Sequence, residues 1–136
     1  MDRKELEKVS DFLLGEENTA YAPYFIGKSY LGVLNTKEAF IANVTFEPGC
    51  RNNWHIHHGD GQILICVGGR GWYQELGKEP QAIKSGDVVY IAPEIKHWHG
   101  AVQDEAFAHL SLSVPVEGAS NEWCEPVTDE EYMKLK

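Results

Sequence analysis

The chain reads as an all-β sandwich or barrel, and two observations predict it. Residues 39–46 alternate cleanly, with Phe40, Ala42, Val44 and Phe46 on one face and Ile41, Asn43 and Thr45 on the other. Beyond them, runs of strand length recur at short intervals, broken at Gly59-Asp60-Gly61, Gly68-Gly69, Gly77-Lys78 and Ser85-Gly86, where tight turns are cheap. With 136 residues, one domain can bury a hydrophobic core without disulfides or metals as staples.

Taken in order, Leu6, Val9 and Leu13 recur at the spacing of one helix face, and Gly15 stands where such a helix would stop. Residues 20–34 turn to Tyr, Phe, Ile and Gly, the composition of edge strands or of an arm. An arm of this kind lies across a partner subunit or covers one end of its own barrel. The strand at 39–46 breaks at Glu47-Pro48-Gly49, where Pro presets one turn angle and Gly accepts a positive one. Further strands are predicted over 54–58, 62–67, 71–76, 81–84, 87–91, 97–101 and 107–113. Thr128 to Glu131 has capping-box spacing, so a short helix should run to about Leu135, its acidic first turn complementing the helix dipole. The expected organisation is a single domain: an N-terminal arm at 1–35, a barrel core at 36–115 and a C-terminal extension at 116–136.

A formal charge of −9 argues against nucleic acid and anionic membrane as partners and leaves small-molecule chemistry as the favoured class. No apolar run reaches the length of a membrane span, and the start, MDRKELEK, is charged where a secretory signal needs an apolar core. A soluble cytoplasmic protein is expected. Cys50, Cys66 and Cys124 form no C-x-x-C pair, so they are read as inert small hydrophobes rather than as disulfides or zinc ligands.

The chemistry gathers on histidines. Two residues apart on a strand, His55 and His57 point the same way, while Ile56 and His58 face outward, which leaves His58 a surface role. A hairpin turn at 59–61 onto the adjacent antiparallel strand would bring Gln62 to the same level, offering an amide oxygen as a third ligand. His97 and His99 repeat the spacing on a later strand, and one of them would complete a set with coordination positions left open, the mark of a reactive metal site.

Five residues separate Gly49 from His55, four separate His57 from Gln62, six separate Gln62 from Gly69, and a second run reaches from Gly86 to His97 eleven positions on. In these two spacings the chain resembles the cupin family from about Thr36 to Pro115. The resemblance implies a double-stranded β-helix, or jelly-roll barrel, with His55, His57, Gln62 and His97 as ligands of one divalent metal. Three departures stand out: Gln62 where the family usually has Glu, Ala92 and Glu94 at the usual Pro and Gly positions, and Ala101 where Asn is common.

Within the family, TFEPG, WH-x-H followed by Gln, GDVV, KHWHG and VTDE-x-Y are similar to the manganese-dependent hydroxynitrile lyase-type cupins. That resemblance implies manganese first, with iron, nickel or zinc also suited to the donors. It implies His109 as general acid/base, on a strand face shared with Phe107, Ser111 and Ser113, and His99 as the residue that orients substrate or ligand. Ala42 and Val44 are expected on the lumen wall, with Ser113 as a further substrate contact, while Trp54 and Trp98 pack outward. Three imidazoles and a neutral amide leave a divalent ion its full charge, which favours polarising an oxygen over an oxygen-activating redox cycle. The function expected first is therefore lyase-like carbon–carbon cleavage of a small molecule. An oxygenase or isomerase for a small carbonyl or aromatic compound, and a non-catalytic ligand-binding protein, are the alternatives. The aromatic arm suggests a homodimer or higher homo-oligomer.

Overall fold

The computed structural model describes residues 1–135; Lys136, the last residue of the C-terminal extension, lies outside them. Its elements are α1 (Arg3–Glu7), β1 (Glu16–Glu17), a 3-10 turn (Ala22–Tyr24), β2 (Phe25–Ile26), β3 (Ser29–Asn35), β4 (Phe40–Phe46), β5 (Arg51–Asn52), β6 (His55–His58), β7 (Gln62–Glu75), β8 (Gln81–Lys84), β9 (Val88–Ile91), β10 (His97–Ala101), β11 (Phe107–Ser113), β12 (Ser120–Trp123) and α2 (Asp129–Met133). All strand pairs are antiparallel. One layer runs β1-β3-β4-β11-β7-β9, and the other joins β8, β7, β10, β5 and β2, with β6 on β10 and β12 on β6. The architecture is an all-β curled sheet, a double-stranded β-helix, flanked by a short helical element at each end.

The segments predicted on either side of Gly68-Gly69 are one strand. The first half of β7 pairs with β11 and β9, and the second half pairs with β10 and β8, so the strand crosses from one layer to the other. The two glycines allow that bend. Gly69 takes a φ of 66°, and a Cβ there would stand 1.8 Å from the Ala106 carbonyl oxygen, while one on Gly68 would stand 1.8 Å from that of Val9. A bend and a reversal ask the same of glycine, which is why the pair read as a turn.

The expected hairpin between β6 and β7 is not formed. β6 pairs with β10 and β12, whereas the Gln62 end of β7 pairs with β9 and β11, so residues 59–61 form a corner between layers. The N-terminal helix is also shorter than its periodicity suggests. It is a single turn with an Asp2–Glu5 capping box, and Leu13 ends 59% exposed while Leu6 and Leu14 are buried. Beyond Lys8 the chain leaves the helix to lie on the outer face of the sheet, where the Leu13 carbonyl accepts from Asn43 Nδ2 at 3.0 Å. Tertiary docking overrides a weak helix signal.

Between the layers lies a core that includes Phe46, Leu64, Tyr73, Ile83, Ile91 and Phe107. A second cluster forms outside the barrel, where Trp54, Trp72 and Trp98 pack with Val102, Val127 and Tyr132 under α2. Burial of each of the largest side chains contributes roughly 2–3 kcal/mol. Polar contacts fix the helix there: Tyr132 donates to the Ala101 carbonyl at 2.6 Å, and buried Arg51 donates to the Val127 carbonyl and to Asp129 while lying 4.2 Å from the centre of the Tyr132 ring. Cys50 and Cys66 are buried and Cys124 partly so, all three free, and burial pushes the Cys50 thiol up to about 12. Among the described residues, no helix is long and apolar enough to cross a membrane.

Candidate metal centre

Each of the three clustered histidines is held at Nδ1 so that Nε2 is left for another partner. His55 Nδ1 lies 2.8 Å from the Asn53 carbonyl oxygen, and His97 Nδ1 lies 2.9 Å from that of Ile95. Both use the carbonyl two residues back, so the extended backbone entering β6 and β10 sets the tautomer. His57 Nδ1 instead meets the Asn121 side-chain oxygen at 2.7 Å, across the β6–β12 pair. The rings converge, with centroids 4.2 Å apart for His55 and His97, 5.2 Å for His55 and His57, and 5.3 Å for His57 and His97. One potential ligand atom from each lies within 4.8 Å of the others.

The polar atoms facing this point suit a cation. Nε2 of His57, Nε2 of His97 and Oε1 of Gln62 are all buried without a hydrogen-bond partner. Gln62 Nε2 donates to the Ser111 hydroxyl, which turns the amide so that its oxygen is the free end. Burial lowers the His97 imidazole to about 4 and, with His97 beside it, holds His55 well below its ordinary value. Neutral rings with free lone pairs are what a divalent ion requires. His55, His57 and His97 thus make a cluster able to coordinate one, and Gln62, with its oxygen unpartnered, lines a cavity with His55 and His57.

Beside the cluster is a cavity of ≈190 Å³, lined by His55, His57 and Gln62 together with His99, His109, Asn52, Val44, Phe46, Tyr21, Phe25 and Trp123 among others. Two more voluminous surface hollows, ≈290 Å³ beside Tyr90 and ≈340 Å³ beside Arg70, hold none of the histidines. His109 is 1% exposed and has neither ring nitrogen partnered; burial brings its value down to about 4. The His99 ring stands 4.9 Å from it, edge to face, and its backbone N–H donates to Asn52 Oδ1 at 2.9 Å. Desolvation, reinforced by His109, holds His99 well below the usual histidine range.

Val44 lines the cavity between Phe40 and Phe46, and Ala42 is buried on the same strand. Ser113 stands outside the main cavity, on a ≈160 Å³ lobe that shares His57, Gln62 and Ser111 with it. Trp54 and Trp98 belong to the cluster under α2, and His58 faces solvent between Glu94 and Glu122. Nothing in the sequence signals Asn52, Asn121 or Trp123, whereas Tyr21 belongs to the aromatic arm expected to cover one end of the barrel or a partner. Trp123 lies 4.8 Å from the His55 ring and stacks on Tyr24 at 4.6 Å, so the N-terminal arm and β12 together roof the site.

A cupin-domain family model matches residues 42–114. An (R)-mandelonitrile lyase of Granulicella tundricola is 46% identical over 93 residues, covering 68% of this chain and 70% of that protein. The crystal structure of a cupin-like protein from Thermotoga maritima superposes with a TM-score of 0.83 at 41% identity, over 90% of this chain and 94% of that one. A predicted oxalate decarboxylase from the same organism shares the fold, with a TM-score of 0.68 at 21% identity over 79% and 96% of the two chains. On the family match, and on the extent of its identity with the lyase, this chain belongs to the cupin family.

Proposed function

We propose that the protein is a metal-dependent lyase that breaks a carbon–carbon bond in a small hydroxyl-bearing substrate, with cyanohydrin cleavage as the concrete reaction. The observation that carries this reading is one cavity shared by a neutral ligand set and a buried, unpartnered histidine. His55, His57 and Gln62 line the cavity and His97 completes the histidine cluster, all offering donors without formal charge, and His109 opens onto the same cavity with both nitrogens free. The likeness to an (R)-mandelonitrile lyase supports the choice of bond.

A divalent ion held by those residues, manganese first, supplies Lewis acidity toward the substrate oxygen. The protein's own groups do the rest. His109, uncharged at neutral pH, accepts the hydroxyl proton as the bond to the nitrile carbon breaks and the carbonyl forms. The cyanide that leaves takes that proton, which a ring of lowered basicity gives up readily. His99, pinned by Asn52, holds the edge of His109. Phe46, Phe25 and Trp123 exclude water and pack against the apolar part of the substrate, with Val44 and Ser113 at the walls and the small Ala42 buried on the same strand as Val44.

Manganese-loaded protein should release aldehyde and cyanide in equal amounts from a racemic aryl cyanohydrin, consuming one enantiomer first. His109→Ala should lower kcat by about a hundredfold or more while metal content stays the same. Oxygen uptake coupled to substrate loss would instead identify an oxygenase. Unchanged ligand binding in His109→Ala, with no turnover in the parent, would leave a binding protein.

A further inference from the structure

We infer that Asn121 is a positioning residue for the metal site, fixing His57 in the tautomer that presents Nε2 inward; the inference rests on the reading of His57 as a ligand. The three clustered histidines are not held alike. His55 and His97 each meet a backbone carbonyl through Nδ1, at 2.8 and 2.9 Å, which no substitution removes. His57 meets a side chain, Asn121 Oδ1 at 2.7 Å, contributed by β12 from 64 residues further along the chain.

The register explains the contact. Asn121 is the residue directly opposite His57 in the β6–β12 pair, so the two side chains stand on the same face, as Trp123 does opposite His55. With its amide oxygen at Nδ1, Asn121 accepts a hydrogen bond only from the Nδ1–H form. The other nitrogen of His57, Nε2, is buried and unpartnered, as His97 Nε2 and Gln62 Oε1 are, and His57 offers a ligand atom within 4.8 Å of those of His55 and His97. Without an acceptor at Nδ1, the ring is free to carry its proton on Nε2, and that form cannot bind a cation there.

The contact also lies at the exposed edge of the site, so water can partly replace the lost oxygen. The effect on metal affinity belongs at the lower end of the range for partners that orient metal-bound histidines, about tenfold. Because Asn121 is exposed, its replacement leaves the core intact.

The test compares Asn121→Leu, of similar size without an acceptor, with Asn121→Asp, which keeps the oxygen. Long-range proton–nitrogen spectra of histidine-labelled, metal-free protein read each tautomer, and chelator competition reads the Kd for Mn2+. The expected result is His57 as Nδ1–H in the parent and in Asn121→Asp. In Asn121→Leu it should become a mixture or the Nε2–H form, with Mn2+ held about tenfold more weakly. His55 and His97 should keep their tautomers in all three proteins. An unchanged His57 signal in Asn121→Leu overturns the inference. So does an equal loss of affinity in both variants, or a parallel change at His55 and His97, since either would mean that Asn121 merely docks the strand. A parent that binds no Mn2+ while its His57 tautomer still follows residue 121 would overturn the ligand reading instead and leave the hold of Asn121 on the ring demonstrated.

Discussion

His57 and His58 are neighbours on one strand and differ in almost everything but composition. His57 turns into the barrel, onto a cavity lined by uncharged residues, with its inner nitrogen free. His58 turns out between two carboxylates, Glu122 at 2.8 Å and Glu94 closer still, and their hydrogen bonds raise its basicity. Across the barrel wall the same side chain changes from one with a free inner nitrogen to one that gains from holding a proton. A period of two in the strand sorts the six histidines of the chain into five that line or border the site and one that does not.

The most severe way to break the interior half of this contrast is to remove a ligand. His55→Ala or His97→Ala should weaken binding of Mn2+ by about a hundredfold or more, seen in elemental analysis of protein as purified. Full occupancy in both variants would refute the ligand set.

Acid tests the same region through stability. His97 and His109 sit at about 4 when folded, against 6.5 in an unfolded chain, so the unfolded state binds more protons between those values. Their stabilisation of the metal-free protein is therefore complete above pH 6.5 and should be lost as pH falls toward 4, on the order of 3 kcal/mol for each in the low-pH limit. Denaturant midpoints measured across that window check it; a flat profile would show that the rings titrate normally.

Gln62→Glu sharpens the point about neutrality. The carboxylate should bind the cation more tightly yet lower turnover about tenfold, because it cancels part of the charge that polarises the substrate oxygen. Outside the wall, His58→Gln should do least. Its raised basicity contributes stability that is present below its unfolded value and disappears as pH rises through the folded one. The thermal midpoint should drop slightly at pH 5 and not at all at pH 9, with metal binding untouched.

How much of this was legible in the sequence depends on how far apart the interacting residues are. β4, β8, β10 and β11 lie where alternation and turns place them, because both signals are local. His55 and His57 were legible as a pair for the same reason: H-x-H sets two side chains on one face whatever the rest of the chain does, whereas His97 and Gln62 stood out through the resemblance. Which layer a strand joins is a non-local matter, so the 59–61 turn read as a hairpin although it is a corner. Asn121 and Trp123 sit in SNEW, a stretch with neither apolar alternation nor a motif, and they acquire a role only by pairing with β6. Glu94 shows the opposite case. It occupies a position where the resemblance calls for Gly, takes a φ of 72°, and is held there by accepting from the Gly59 N–H at 3.0 Å as well as by His58.

The passage of β7 through both layers has a kinetic meaning as well. Before its halves can find β11 and β10, the chain must close long loops, the slow kind of step in a fold built from distant contacts. The proposed ligands are divided across that seam: His55 and His57 on β6, Gln62 at the head of β7, and His97 on β10. No early hairpin can gather them. Metal capture should accordingly lag the bulk of refolding fluorescence in a stopped-flow trace, making the ion a reporter of the last strands to arrive rather than a template for the first.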